Sequence, residues 1–222
     1  VRALLAADAW CAAFVAAKAS DVAQITSAFV RQAAEKPAAG LDPAKVQVAE
    51  RLRNQYRFLH LHLAFPHVFD GSPGQGFNCV LGNPPWDQVI FQEREWFGSR
   101  VPAIAGAATA PQRRRLIDEL AIEDPTTYAD YQAAERSIAA FAHFLRNSGR
   151  FARTGVGRHI TLAAVFAEAM RSLLSSSGRS GVVCPTEVAT GDTTKEFFDN
   201  LMESGSLVSL YDFENSLPLF PA

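Results

Sequence analysis

A short apolar run at residues 77–81 (Phe-Asn-Cys-Val-Leu) is the feature that most constrains the fold of this chain. Gly76 and Gly82 bound it, and Pro84-Pro85 follow closely. A run of this length between glycine and proline is typical of a strand that is buried on both faces of a parallel sheet. Parallel strands need crossover connections, which are most often helices. The sequence therefore predicts an α/β fold with an open, mostly parallel sheet.

Residues 160–213 continue the alternation of helix and strand. Apolar residues follow the i, i+3, i+4, i+7 rule of a helix and end at a serine and glycine stretch; they are Leu162, Val165, Phe166, Ala169, Met170, Leu173 and Leu174. Residues 181–185 and 207–213 are predicted strands. Between them, a capping box of Thr193 and Glu196 begins a predicted helix that Gly205 ends. Three strands are few for a doubly wound sheet, and the chain begins at Val1 without methionine. We expect a piece of a longer protein.

The rest of the chain carries helical patterns. Two helices are predicted before residue 37, and a third from the Asp42-Pro43 cap to about Phe65. A polar, helix-prone stretch at about 88–158 is predicted to be an insertion, with one helix after Pro111 and another at about 126–147. The predicted domains are a helical region at 1–70 and a catalytic domain at 71–222 that contains this insertion.

Composition excludes several classes of protein. The 222 residues are 48% hydrophobic and 20% charged, which suits a buried core and excludes a disordered chain. Lys and Arg number 21 against 23 Asp and Glu, so no global basic field points to nucleic acid. Cys11, Cys79 and Cys184 lack the spacing of a zinc site, and no metal site is predicted. A cytoplasmic protein without a membrane segment is expected.

The motif with the most specific chemistry is Asn83-Pro84-Pro85-Trp86, directly after the first predicted strand. Ligands of open α/β sheets bind at the carboxyl ends of strands. The two prolines hold the turn, and Pro85 has no N–H that could engage a neighbouring carbonyl. The Asn83 side-chain oxygen and the Pro84 carbonyl can then accept both hydrogens of an exocyclic amine, while Trp86 offers a flat face for stacking. The alternative is an ordinary turn with Trp86 in the core.

The sequence around this motif resembles the N6-adenine DNA methyltransferases of restriction-modification and phage-exclusion systems, which use S-adenosylmethionine (SAM) and carry the motif (N/D/S)-P-P-(Y/F/W). The similar segments are 76–87, 165–169, 178–186, 207–215 and 219–221. The resemblance implies the C-terminal half of a Rossmann-like methyltransferase sheet. It also implies that Asn83 and Pro84 hold the adenine amine, that Trp86 stacks on the flipped base, and that Phe220 closes its other face. The SAM loop is expected upstream of Val1.

Other candidates are less specific. Few acids oppose the arginines after residue 136, and a DNA-backbone role is predicted for Arg146, Arg150, Arg153 and Arg158; a solvated helical face explains them equally well. Residues 71–76 are rich in glycine, but they precede a strand, so a linker is predicted there instead of a SAM loop. His60, His62 and His67 are near one another, yet residues two apart on a helix point to different faces, which argues against a metal site.

The sequence thus favours methyl transfer from SAM to the N6 amine of adenine in DNA, as part of a restriction-modification or phage-defence enzyme with possible fused or partner nuclease and specificity domains. The chain alone is expected to be inactive. Two alternatives stay open. One is methylation of an RNA guanine amine or a protein glutamine amide, and the other is a catalytically silent DNA-binding scaffold.

Overall fold

The computed structural model describes residues 2–18, 22–157 and 159–213 and is mostly helical, with one small parallel sheet in the described part. In chain order its elements are α1 (Arg2–Val15), α2 (Ser27–Glu35), α3 (Pro43–Tyr56), α4 (Leu61–Ala64), β1 (Phe77–Gly82), α5 (Glu93–Gly98), α6 (Pro102–Ala105), α7 (Ala110–Glu123), α8 (Pro125–Asn147), α9 (Leu162–Ser172), β2 (Leu174–Val182), α10 (Glu187–Thr190) and α11 (Lys195–Glu203). The predicted α/β class is confirmed. The Rossmann-like arrangement stays a prediction.

The chain divides into two compact units. The helical unit consists of Val1–Gly76 and Val89–Arg150, and the sheet unit consists of Phe77–Gln88 and Phe151–Ala222. The stretch predicted to be an insertion thus belongs, from Val89 to Arg150, to the same unit as the N-terminal helices. The assignment of residues 71–222 to a catalytic domain stays a prediction.

The first core of the helical unit is built on the alanine-rich helix α1. Ala9 and Ala12 are fully buried, and their small side chains let α2 and α3 approach closely; Phe29 and Leu52 fill the space between these helices. The predicted cap of α3 is confirmed, because the Asp42 carboxylate accepts a hydrogen bond from the Ala44 amide. The prediction of one helix from residue 43 to about 65 is wrong. Arg57 has a left-handed φ of 51° that ends α3, and the separate short helix α4 follows.

The second core of the helical unit is aromatic and lies among α5, α7 and α8. Phe97 is fully buried, and its ring stacks on that of Tyr131 at a centroid distance of 5.0 Å. Glu93 links the three helices, because its carboxylate accepts hydrogen bonds from the Tyr131 hydroxyl and from the Arg113 guanidinium. Burial and the hydrogen bond to Glu93 raise the pKa of Tyr131 above its usual range. The predicted helices after Pro111 and at 126–147 are confirmed as α7 and α8.

The sheet has two described strands, β1 and β2, that pair in parallel. The strand predicted at 77–81 is confirmed, but its predicted burial is wrong, since none of its residues is buried and Leu81 is 77% exposed. The second strand begins earlier than expected, at Leu174, and covers only the first two residues of the predicted 181–185 run. The strand predicted at 207–213 is wrong, since those residues have no regular structure. A strand exists only where a neighbour takes its backbone hydrogen bonds, and none of the described residues pairs with that segment.

Helix α9 supplies the core of the sheet unit. Its small residues Ala163, Ala164 and Ala167 pack against Val188 and Phe197. Helix α11 ends before Gly205 as predicted, and Gly205 has a left-handed φ of 60°.

The predicted capping box at the start of α11 is wrong. Thr193 does not cap the helix; Thr194 is the N-cap residue. The Thr194 hydroxyl instead lies 2.8 Å from the Glu187 carbonyl and 2.9 Å from the Gly191 carbonyl, both of which accept from it. A short 3₁₀ turn at Asp192–Thr194 precedes the helix, and the Thr194 side chain makes no hydrogen bond to the helix amides.

Hydropathy along the helices bears on membrane association. Among residues 2–18, 22–157 and 159–213, none of the helices combines the length and the apolar character that crossing a bilayer requires.

Candidate functional site

The candidate site is the Asn83-Pro84-Pro85-Trp86 corner, which directly follows β1 in the sheet unit. β1 pairs with β2 up to Gly82 and Val182, and the Val183 amide adds one more bond to the Gly82 carbonyl, at 3.0 Å. A Cβ at position 82 would lie 3.3 Å from the Met170 methyl group of α9, so glycine lets the strand end close against the helix. The corner thus lies at the carboxyl end of a parallel strand, as predicted.

The far side of the corner is attached to the start of α9. The Leu162 amide donates to the Asp87 carbonyl at 2.9 Å, and Gln88 forms an antiparallel bridge with Thr161. Strand pairing on one side and this bridge on the other therefore hold the four-residue motif at both ends. The sequence analysis missed the contribution of Thr161 and Leu162, although a threonine before an apolar helix is a known helix-start signal.

The polar atoms of the corner are accessible. Asn83 is exposed, and Trp86 keeps 51% of its surface in solvent, so the alternative of a core tryptophan is wrong. Pro84 is buried and anchors the turn, whereas Pro85 is exposed. Within the described residues, no hydrogen bond is made to the Pro84 carbonyl. That oxygen keeps its capacity to accept from an N–H group.

The side chains of Asn83 and Trp86 contact each other. The Trp86 indole Nε1–H donates to Asn83 Oδ1 over 3.2 Å. An indole nitrogen is only a donor, so the carboxamide must turn its oxygen toward Trp86 and its NH₂ group away. Asn83 Oδ1 can still accept a second hydrogen bond through its other lone pair. The sequence did not predict that Trp86 would occupy one of the two lone pairs.

The arginines predicted for DNA contacts lie in different units. Arg146 and Arg150 are exposed near the end of α8 in the helical unit, and the Arg150 guanidinium lies 6.0 Å from the Trp10 ring centroid. Arg153 belongs to the sheet unit and lies 4.0 Å from the Glu168 carboxylate. Arg158 and Phe220 lie outside the described residues. A role in DNA binding stays a prediction for all of them.

The glycine-rich stretch 71–76 does not have the arrangement of a phosphate-binding loop. In the glycine-rich stretch 71–76, the Gly71 amide donates to Gln75 Oε1 at 2.7 Å, and the Ser72 amide and hydroxyl both donate to Asp70. These two bonds from Ser72 lower the pKa of Asp70. The Gly71 and Ser72 amides are thus satisfied locally, and the stretch precedes its strand, whereas a phosphate-binding loop follows one.

One of the histidines near residue 60 contacts a buried carboxylate. The side chain of His60 is buried and its Nε2 lies 2.8 Å from Oδ1 of the buried Asp8, while the Arg53 guanidinium lies 3.5 Å from the same carboxylate. Within the described ranges, no three His, Cys, Asp or Glu side chains are arranged to hold a metal ion.

The candidate site is therefore an exposed corner at a strand end with two oxygen acceptors and an aromatic face, one acceptor being shared with the indole. Its chemistry is that of a hydrogen-bond acceptor for a planar amine. No protein-family model, curated protein or solved structure matches this chain.

Proposed function

We propose that this chain carries the target-amine site of a SAM-dependent N6-adenine DNA methyltransferase, within a restriction-modification or phage-defence enzyme. The observation that carries the proposal is the exposed Asn83-Pro84-Pro85-Trp86 corner at the end of a parallel strand. Asn83 Oδ1 and the Pro84 carbonyl would accept the two hydrogens of the adenine amine. Trp86 would stack on the base.

Two acceptors change the electronic state of an aromatic amine as well as binding it. An exocyclic amine is planar and weakly nucleophilic because its lone pair is conjugated with the ring. Hydrogen bonds that draw both hydrogens to one side favour a tetrahedral nitrogen whose lone pair is available for attack. Fixed acceptors do this without reorganisation at the moment of reaction.

Access to the amine requires the base to leave the duplex. Adenine paired inside DNA presents its amine to thymine, so the proposed enzyme would extrude the nucleotide at a cost of a few kcal/mol. Stacking on the exposed face of Trp86 would offset part of that cost, because stacking a base on an aromatic side chain contributes about 1–3 kcal/mol. The proposal covers the amine site alone, since the SAM loop is expected upstream of Val1. The chain by itself would bind the base without methylating it.

Binding of adenosine to the isolated chain tests the site. We expect adenosine to shift the NMR signals of the Trp86 indole and the Asn83 side-chain amide, and N6,N6-dimethyladenosine, which has no N–H on that nitrogen, to shift them far less. Asn83→Ala should remove the response. Asn78→Ala is the matched control, because Asn78 is an exposed asparagine of β1 whose Oδ1 only accepts from Ser175. Equal responses of both variants would refute the assignment.

Methyl transfer tests the activity itself. In any longer form of the polypeptide that methylates adenine in duplex DNA, Asn83→Ala should abolish transfer from tritiated SAM, while Asn78→Ala should retain it. Activity that persists in Asn83→Ala would end the proposal.

A second candidate is a catalytically silent DNA-binding scaffold. The local hydrogen bonds of the Gly71 and Ser72 amides favour it, because a scaffold needs no phosphate-binding loop at this strand. The two candidates differ in one result, since a scaffold would bind DNA equally well with Asn83→Ala.

A further inference from the structure

The hydrogen bond between Trp86 and Asn83 and the stacking of a base on Trp86 require different positions of the same ring. An indole N–H lies in the plane of its ring, so an acceptor 3.2 Å from Nε1 lies close to that plane. A stacked base instead lies in a parallel plane about 3.5 Å away, and its amine donates within the plane of the base. Asn83 Oδ1 cannot lie in both planes at once.

Little else holds the ring in this position. Trp86 is half exposed, and within the described part of the chain its indole makes no hydrogen bond other than the one to Asn83. Asn83 is exposed as well, so solvent can replace this hydrogen bond when the pair separates. The two ends of the corner, at Gly82 and Asp87, remain attached when the side chains move.

We propose that the Trp86–Asn83 hydrogen bond is a closed state of the amine site, which a base must open before it can be stacked and held. This inference rests on the proposed function, since it concerns the regulation of the same site. The indole N–H satisfies the Asn83 oxygen when no amine is present. On binding, the indole turns away to stack and the amine of the base replaces its N–H.

The closed state lowers the apparent affinity for every ligand that must open it. A ligand that binds only the open form has its affinity reduced by the fraction of molecules that are open. One neutral hydrogen bond at an exposed site shifts such an equilibrium by about two- to tenfold. Phenylalanine at position 86 would keep an aromatic face and remove the N–H. Trp86→Phe should therefore bind adenosine about two- to tenfold more tightly, although its smaller ring stacks less well.

The first measurement tests the hydrogen bond without any ligand. The exchange rate of the Trp86 indole N–H with D₂O is measured by NMR in the ¹⁵N-labelled chain, with Trp86→Phe to assign the signal. Asn83→Ala should accelerate exchange about two- to tenfold, and Asn78→Ala should not. The indoles of Trp10 and Trp96 serve as internal references. An unchanged rate in Asn83→Ala would overturn the closed state.

The second measurement compares adenosine affinities of the wild-type chain, Trp86→Phe and Trp86→Ala. We expect Trp86→Phe to bind most tightly and Trp86→Ala, which lacks the aromatic face, most weakly. If the exchange result holds but Trp86→Phe binds no more tightly than wild type, the gating role is overturned and the proposed function survives. If neither wild type nor Trp86→Phe binds adenosine, both the amine site and its closed state are refuted.

Discussion

The two units of this protein differ in how completely they bury their apolar side chains. The helical unit buries residues such as Ala9, Phe29 and Phe97 almost completely and pairs its buried carboxylate Asp8 with His60. The sheet unit leaves more of its large apolar side chains in solvent than the helical unit does, among them Leu81 at 77% and Phe213 at 85%. Stability should therefore reside mainly in the helical unit, while the candidate chemistry lies in a less protected unit. Functional segments often come from the less stable part of a protein.

The largest expected effect is on the buried pair of the helical unit. His60→Ala leaves the Asp8 carboxylate buried with only the half-exposed Arg53 beside it. Leaving a buried charged group without its hydrogen-bond partner costs about 3 kcal/mol. We expect a loss of that order in the free energy of unfolding, measured by urea denaturation followed by circular dichroism.

The matched control for His60→Ala is an exposed pair in the same unit. Asp118→Ala removes the carboxylate that faces Arg114 on the surface of α7 and should cost about 0.5 kcal/mol or less. Similar losses for the two variants would show that burial gives the Asp8–His60 pair no special weight.

The second prediction concerns the buried carboxylate of the sheet unit. Glu168 accepts from the Thr154 amide at 3.0 Å and from the Thr154 hydroxyl at 2.6 Å, which attaches residues 151–157 to α9. Glu168→Ala should cost about 2 kcal/mol, because hydrogen bonds to a charged group contribute about 1.5–3 kcal/mol. Hydrogen exchange at the Thr154 amide should accelerate accordingly. The exposed Glu187 of the same unit is the control, and an equal effect of Glu187→Ala would contradict the argument.

The third prediction compares two glycines of β2. A Cβ at position 178 would lie 2.6 Å from the Phe77 carbonyl, which cannot move without disturbing the sheet. A Cβ at position 181 would meet only the end of the exposed Leu81 side chain, at 2.8 Å. Gly178→Ala should cost about 1 kcal/mol or more, whereas Gly181→Ala should be nearly neutral, both measured by thermal unfolding. The opposite ranking would refute the observed register of β1 and β2.

The expected effect that is smallest near neutral pH is a pH dependence in the helical unit. Burial raises the pKa of the Cys11 thiol from 9.0 to about 11, while Arg150 lowers it and Asp8 raises it to lesser extents. Because the folded state holds this proton more tightly, the contribution of Cys11 is fully present below pH 9 and is lost as the pH rises toward 11. The free energy of unfolding should fall over this window by less than about 1.4 kcal/mol per pH unit.

Comparing wild type with cysteine variants separates the effect of the Cys11 thiol from that of other groups that titrate in the same range. Cys11→Ala should flatten the slope between pH 9 and 11, and Cys79→Ala, which changes an exposed cysteine of β1, should leave it unchanged. Identical slopes in wild type and Cys11→Ala would show that Cys11 does not contribute.

Local patterns predicted the elements whose signals are contained within a few residues. The Asp42-Pro43 cap, the helix stop at Gly205 and the strand between Gly76 and Gly82 are of this kind, and each is confirmed. The start of β2 was missed because residues 174–180 are mostly serine, glycine and arginine, which have weak strand propensity. Pairing with β1 overrides that local preference.

Contacts between distant residues could not be predicted. Asp8 and His60 are 52 positions apart, and no pattern in either helix indicates that one lies against the other. The same holds for Glu168 and Thr154, which are 14 positions apart and meet through buried hydrogen bonds.

The sequence by itself determined which atoms the Asn83-Pro84-Pro85-Trp86 corner offers and that it follows a strand, because proline geometry and strand boundaries are properties of neighbouring residues. Only the tertiary structure decided which strand pairs with β1, how α9 holds the corner, and that the indole takes the Asn83 oxygen. Those outcomes depend on which groups meet in space, and the competition for one acceptor is settled only after folding has brought them together.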